Sequence, residues 1–159
     1  MVETQEQAVQ VYRKRVSELY ESVRNWAHDA SLQTTEETVE LNEEAYGHYE
    51  APKLSVKTAD GKIIAELVPM GASIIGSEGR VDVVGKYDKA IVVYVAEGPA
   101  LTTVITCGDQ KETHVTKFYR GIKGAGWYYV EDRRRGKAYE VDKEMLYELL
   151  GEVSDYEIV

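Results

Sequence analysis

Between Lys53 and Val141 the sequence breaks into short runs rich in β-branched and aromatic residues, each closed by a turn signal. That segmentation constrains the fold more than any other feature. Links this short join antiparallel neighbours, whereas a parallel pair needs a crossover of about a dozen residues or more. Leu54 to Thr58 and Ile63 to Val68 flank Asp60-Gly61, a strong short hairpin signal. Ala72 to Ile75 and Val81 to Val84 flank Gly76-Ser77-Glu78-Gly79. Ala90 to Ala96 is rich in Val and Ile, as a strand inside a sheet would be. Leu101 to Thr106 and His114 to Tyr119 bracket Gly108-Asp109-Gln110, and Trp127 to Glu131 and Ala138 to Val141 bracket Arg133-Arg134-Arg135-Gly136. The expectation is an antiparallel meander of about seven to nine strands over 53–141.

Two helices frame this region. Ala8, Val9, Tyr12, Val16, Leu19, Tyr20, Val23, Trp26, Ala27 and Ala30 recur at steps of three and four, with charged residues between them. The spacing predicts a long amphipathic helix over 4–29, its aromatic stripe belonging to the core. After Asp142, a natural N-cap, Met145, Leu146, Leu149, Leu150 and Val153 repeat at the same spacing and predict a helix over 143–153. Helices before and after an antiparallel sheet most simply cover one apolar face, which gives a two-layer α+β fold. With no Pro- or Ser-rich linker and no repeat, the 159 residues are expected to form one domain.

Residues 31–52 read differently. Glu36, Glu37, Glu40, Glu43, Glu44 and Glu50 follow one another with no lysine or arginine among them, and Pro52 would end any helix. Val39 and Leu41 alternate with acids, which permits one short strand, but the stretch reads chiefly as a solvated acidic connector.

Few signatures of chemistry survive inspection. Gly121-Ile122-Lys123-Gly124-Ala125-Gly126 spaces its glycines in reverse of a dinucleotide fingerprint and leads into a strand rather than a helix. Gly79 to Lys86 lacks the spacing of a phosphate loop, and Tyr87 stands where a magnesium-binding Ser or Thr is needed. His28, His48 and His114 are scattered, so no metal site or cofactor is expected. The single cysteine, Cys107, excludes an intramolecular disulfide. Cys107 closes one predicted strand and His114 opens the next, so an imidazole there would activate the thiol. Nothing is placed to orient His114, and the better reading of Cys107 is an inert buried thiol. No catalytic residue is therefore assigned, these two being the only candidates. Asp82 lies inside a strand, as in metal-dependent nucleases, but the next strand offers neither a second acid nor a lysine. Its natural partner is Arg80, two residues away on the same face.

Charge is unevenly spread. The total is −9, which disfavours a sequence-blind grip on nucleic acid or an anionic membrane. Yet 111–137 holds eight bases against three acids, interleaved with Phe118, Tyr119, Trp127, Tyr128 and Tyr129. Aromatic rings beside cations suit stacked bases. Twelve tyrosines against one phenylalanine suit half-exposed, partner-binding positions. The start of the chain shows neither the basic nor the apolar region of a secretory leader, so a cytoplasmic, bacterial or archaeal protein is expected.

Three functions follow from these readings. The leading one is a non-enzymatic interaction protein of inhibitor, immunity or adaptor type. It would bind a basic protein partner, or a second copy of itself, through Glu36, Glu37, Glu40, Glu43, Glu44, Tyr46 and Tyr49. The alternative is a binder of nucleotides or single-stranded nucleic acid through Arg120, Lys123, Trp127, Arg133, Arg134 and Arg135. The third is a hydrolase or transferase built on Cys107 and His114.

Overall fold

The computed structural model describes residues 4–72, 78–96, 100–107, 110–117, 122–132 and 137–158. The chain runs α1 (Gln5–Asp29), β1 (Gln33–Glu43), β2 (Gly47–Lys57), β3 (Ile63–Gly71), β4 (Arg80–Val84), β5 (Lys89–Val95), β6 (Ala100–Cys107), β7 (Gln110–Lys117), β8 (Gly126–Asp132), β9 (Lys137–Glu140) and α2 (Lys143–Ser154). It is an α+β fold. Seven strands form one antiparallel sheet in the order β1-β2-β3-β4-β5-β8-β9, and β6 pairs with β7 in a separate hairpin.

Helix α1 begins where its cap chemistry dictates. The Thr4 hydroxyl accepts from the Gln7 amide at 3.1 Å, and the Gln7 side chain accepts from the Thr4 amide at 2.9 Å. The helix ends as the Leu32 amide folds back to the Ala27 carbonyl, with Ser31 in the left-handed region. Val9, Tyr12, Val16, Leu19, Tyr20, Val23 and Ala27 form its buried stripe. Helix α2 is capped by Asp142, which accepts from the Met145 amide at 2.8 Å, and buries Leu146, Leu149, Leu150 and Val153.

Both helices pack on one face of the sheet, α1 over β1 and β2 and α2 over β3 to β5. Leu54, Val56, Leu67, Val81, Val83, Val92 and Trp127 meet them there. Side chains alternate across a strand, so the residues beside Val92 and Trp127 face the other way. Val93, Val95, Tyr128, Val130 and Ala138 form a second, smaller core on that opposite face. This double burial is why β5 reads as an unbroken apolar run.

The 31–52 segment is not a connector. It forms β1 and most of β2, paired without interruption from Gln33↔Lys57 to Glu43↔Gly47. No residue of β1 is buried, and its apolar face is only half-buried Val39 and Leu41, too short to betray an eleven-residue strand in sequence. Pro52 sits inside β2 opposite Thr38, where β2 has passed beyond its pairing with β3 at Leu54 to Lys57 and has one neighbour only. A proline costs no ladder bond on an open side. Across Pro52 the buried side of β2 switches from Leu54 and Val56 to Ala51 and Tyr49, while the register with β1 continues. The ribbon therefore twists as a unit, as two-stranded ribbons do strongly. Asp60-Gly61 forms the expected β2–β3 turn, with Gly61 at φ +90°. Of the strand expected at Ala72 to Ile75, only Ala72 is among the described residues, and it lies in a bend.

Tyrosines fasten the elements together, two of them helix to sheet and one helix to helix. The Tyr12 hydroxyl donates to the Arg80 carbonyl at 2.8 Å and accepts from the Gly71 amide at 3.2 Å. Tyr20 donates to the Leu67 carbonyl at 3.0 Å, and Tyr147 donates to the Trp26 carbonyl at 2.6 Å. The Tyr12 and Tyr20 rings fill apolar space while their hydroxyls satisfy main-chain groups, a task phenylalanine cannot perform.

Burial pushes the Tyr12, Tyr20 and Tyr49 phenols above their ordinary value of 10. Unfolding releases these protons at a pH where the folded chain still holds them. Each phenol thus contributes stability that is complete below pH 10 and lost as the pH climbs beyond it. Alkaline titration followed by tyrosinate absorbance and circular dichroism should show a late absorbance step coinciding with loss of structure. All twelve tyrosines ionising together while the fold persists would contradict this.

Candidate interaction surfaces

Within the acidic hairpin, β1 is an outer strand of the sheet and none of its residues is buried. Its glutamates alternate between faces. Glu36 points toward α1 and pairs with Arg24 at 2.7 Å. Glu37 points to the opposite face and meets Lys53 at 2.6 Å, and Lys53 also reaches Glu66 on β3 at 2.7 Å. One lysine thus ties three strands, and the ion pairs hold Glu37 below and Lys53 above their usual values. Further along, Glu40 meets His48 at 2.9 Å, both well exposed.

Two of the expected partner-binding residues turn inward. Glu43 accepts from the Tyr49 hydroxyl and, at 3.0 Å, from the Ala72 amide. Tyr49 is buried edge-on against Tyr12, ring centroids 6.4 Å apart. Glu43 presses on Gly71, where an added Cβ would come within 2.7 Å of the carboxylate oxygen. Tyr46 is half-buried against the main core. The outward set is therefore Glu36, Glu37, Glu40, Glu44 and the neighbouring Glu50.

The basic aromatic segment is described only in part. Arg120, Arg133, Arg134 and Arg135 lie outside the described residues. Trp127 packs on the helix face of β8 and donates its indole N–H to the Arg15 carbonyl at 3.1 Å. Tyr128 faces the opposite way, its hydroxyl donating to the Gly124 carbonyl and accepting from the Lys123 amide. Trp127 and Tyr128 thus face opposite sides of β8, and the Lys123 main chain meets the Tyr128 side.

For the thiol chemistry, the β6–β7 register pairs Cys107 with Gln110 and His114 with Thr103. The two candidates are not cross-strand partners, because four ladder positions separate them. Asp82 is 2% exposed and takes two bonds from the Arg80 guanidinium, at 2.7 and 3.0 Å. That is the partner its spacing indicated. Among the described residues no three of His, Cys, Asp and Glu converge as a metal ion would need. No helix among them is long and apolar enough to cross a membrane.

Sequence reading did not single out a groove of about 250 Å³ between α1 and the β8–β9 edge. Leu19, Trp26, Tyr94, Trp127 and Val141 line it, with Glu18 and Glu140. The signal was present in Glu18, Ser22 and Trp26, one shoulder of α1 at helical spacing. Compared with protein-family models, curated proteins and solved structures, the chain matches none.

Proposed function

We propose that the chain is a cytoplasmic, non-enzymatic interaction module that binds a basic protein partner along β1. The observation that supports this reading is an outer strand, Gln33–Glu43, that buries none of its residues and carries exposed glutamates on both faces. An open strand edge offers unpaired main-chain groups to an incoming segment. Glutamates along it repel a second copy of the same edge and favour a strand flanked by lysine or arginine. Tyr49, Glu43 and Tyr12 hold the hairpin to the body of the fold, so the edge is presented in a fixed position.

The test is capture from extracts of the native host by the full chain and by its Glu40→Lys/Glu44→Lys variant. Both residues are exposed, so stability should change by no more than about 0.5 kcal/mol. A partner held by the native chain, released by salt and retained about tenfold less by the variant is expected. Identical capture by both chains, or background from the native chain, would overturn the reading.

A further inference from the structure

We propose that the groove between α1 and the β8–β9 edge is a binding site for an organic ammonium ion. Both tryptophans of the chain line it, Trp26 from α1 and Trp127 from β8, together with Tyr94 from β5. Aromatic faces attract cations electrostatically, and quaternary ammonium groups are bound elsewhere by such walls. Tyr94 shows the attraction within the fold, the Arg15 guanidinium carbon lying 4.2 Å from its ring centroid, so a ligand meets chiefly half-buried Trp26 and the 9% of Trp127 left exposed.

The charges around the groove favour the same class of ligand. Glu18 and Glu140 are its charged lining residues among those described, and both are exposed. Arg15, one helical turn from Glu18, is committed to Glu78 at 2.8 Å as well as to Tyr94. Phosphates and carboxylates would meet two like charges here. A bare metal ion would find aromatic carbon where it needs converging oxygens. A methylated ammonium presents a diffuse positive charge on an apolar surface, which matches a groove lined by both carboxylates and aromatic residues.

The walls are held firmly. Trp127 is fixed by its bond to the Arg15 carbonyl and by edge-on packing against Tyr94, centroids 5.5 Å apart. The Val141 amide donates to the Trp127 carbonyl at 3.0 Å, tying the end of β9 to the same wall. A volume near 250 Å³ suits a single headgroup or side-chain terminus rather than a whole nucleotide. This site is separate from the β1 edge, and its test does not depend on the partner reading.

Because both tryptophans stand in the groove, indole fluorescence reports on it directly. Titration with choline chloride, against sodium chloride at equal ionic strength, should give a saturable change in emission. The neutral isostere 3,3-dimethylbutan-1-ol should bind about tenfold more weakly or not at all. Glu18→Gln/Glu140→Gln, at exposed positions that leave the fold intact by circular dichroism, should weaken choline binding about tenfold. No saturable response to choline would overturn the proposal, as would equal affinity for the neutral isostere or an unchanged affinity in the double variant.

Discussion

Gly85→Ala is expected to destabilise the fold by about 3 kcal/mol, at the upper end for overpacking. Gly85 follows β4 at the point where the β4–β5 turn meets the last turn of α2. A Cβ built there would lie 2.2 Å from the Val153 carbonyl oxygen and 2.6 Å from its carbon. Both are main-chain atoms and cannot rotate aside. The same contact is tied by a bond of 2.9 Å from the Tyr87 amide to the Val153 carbonyl. Relief therefore requires α2 to withdraw, which loosens Leu150 and Val153 from the core. Chemical denaturation should show a lower midpoint and an unchanged slope. Gly124→Ala is the control, since a Cβ there meets nothing within 4 Å. Equal stability of the two variants would refute the contact.

Removal of the Asp82 carboxylate should cost a similar amount, about 3 kcal/mol, for a different reason. Asp82 lies between Val68 and Ile91 of the neighbouring strands and is only 2% exposed. Its charge is held by the two bonds from Arg80. In Asp82→Ala the guanidinium keeps its desolvation cost and loses the two bonds to the Asp82 carboxylate. Replacing both partners, Arg80→Leu with Asp82→Val, should recover much of the loss, because the site then buries no charge. A double-mutant cycle in urea measures the coupling. If Asp82→Ala cost less than about 1 kcal/mol, the pair would be acting as a screened surface bridge.

The parts of the fold that sequence revealed are those where one local signal decides the structure. The α1 stripe, the Asp142 cap and the Asp60-Gly61 turn each state their conformation within a few residues. Strand β1 escaped because its stability comes from elsewhere. Seven of its eleven residues are Thr or Glu, none is buried, and what holds it is an eleven-position ladder with β2 plus the Lys53 and Arg24 ion pairs. Pro52, read only as the end of any helix, sits inside β2, which tolerates it because the strand has one neighbour there. Tyrosine abundance suggested an interface, yet Tyr12, Tyr20 and Tyr49 are buried fasteners, whereas Tyr87, at 61% exposure, is not. Composition cannot separate these uses, because both exploit the same amphipathic ring. The groove was hidden more completely. Its aromatic residues come from three elements distant in sequence, and only the crossing of α1 over the sheet brings them together.

The meander is interrupted once. Strand β5 finds its partner not in the next strand but in β8, with Val95 opposite Gly126, after the chain has left the sheet to make the β6–β7 hairpin. Closing that excursion costs about 1.5 kcal/mol more chain entropy than a tight turn, a sum the apolar β5–β8 contact easily offsets. Its two ends stand side by side on adjacent strands. Residues 96–125 therefore enter and leave through a single port in the scaffold. The β5–β8 ladder, from Ile91↔Val130 to Val95↔Gly126, closes the sheet behind the excursion, so the seven-stranded scaffold is continuous whatever length of chain the port carries.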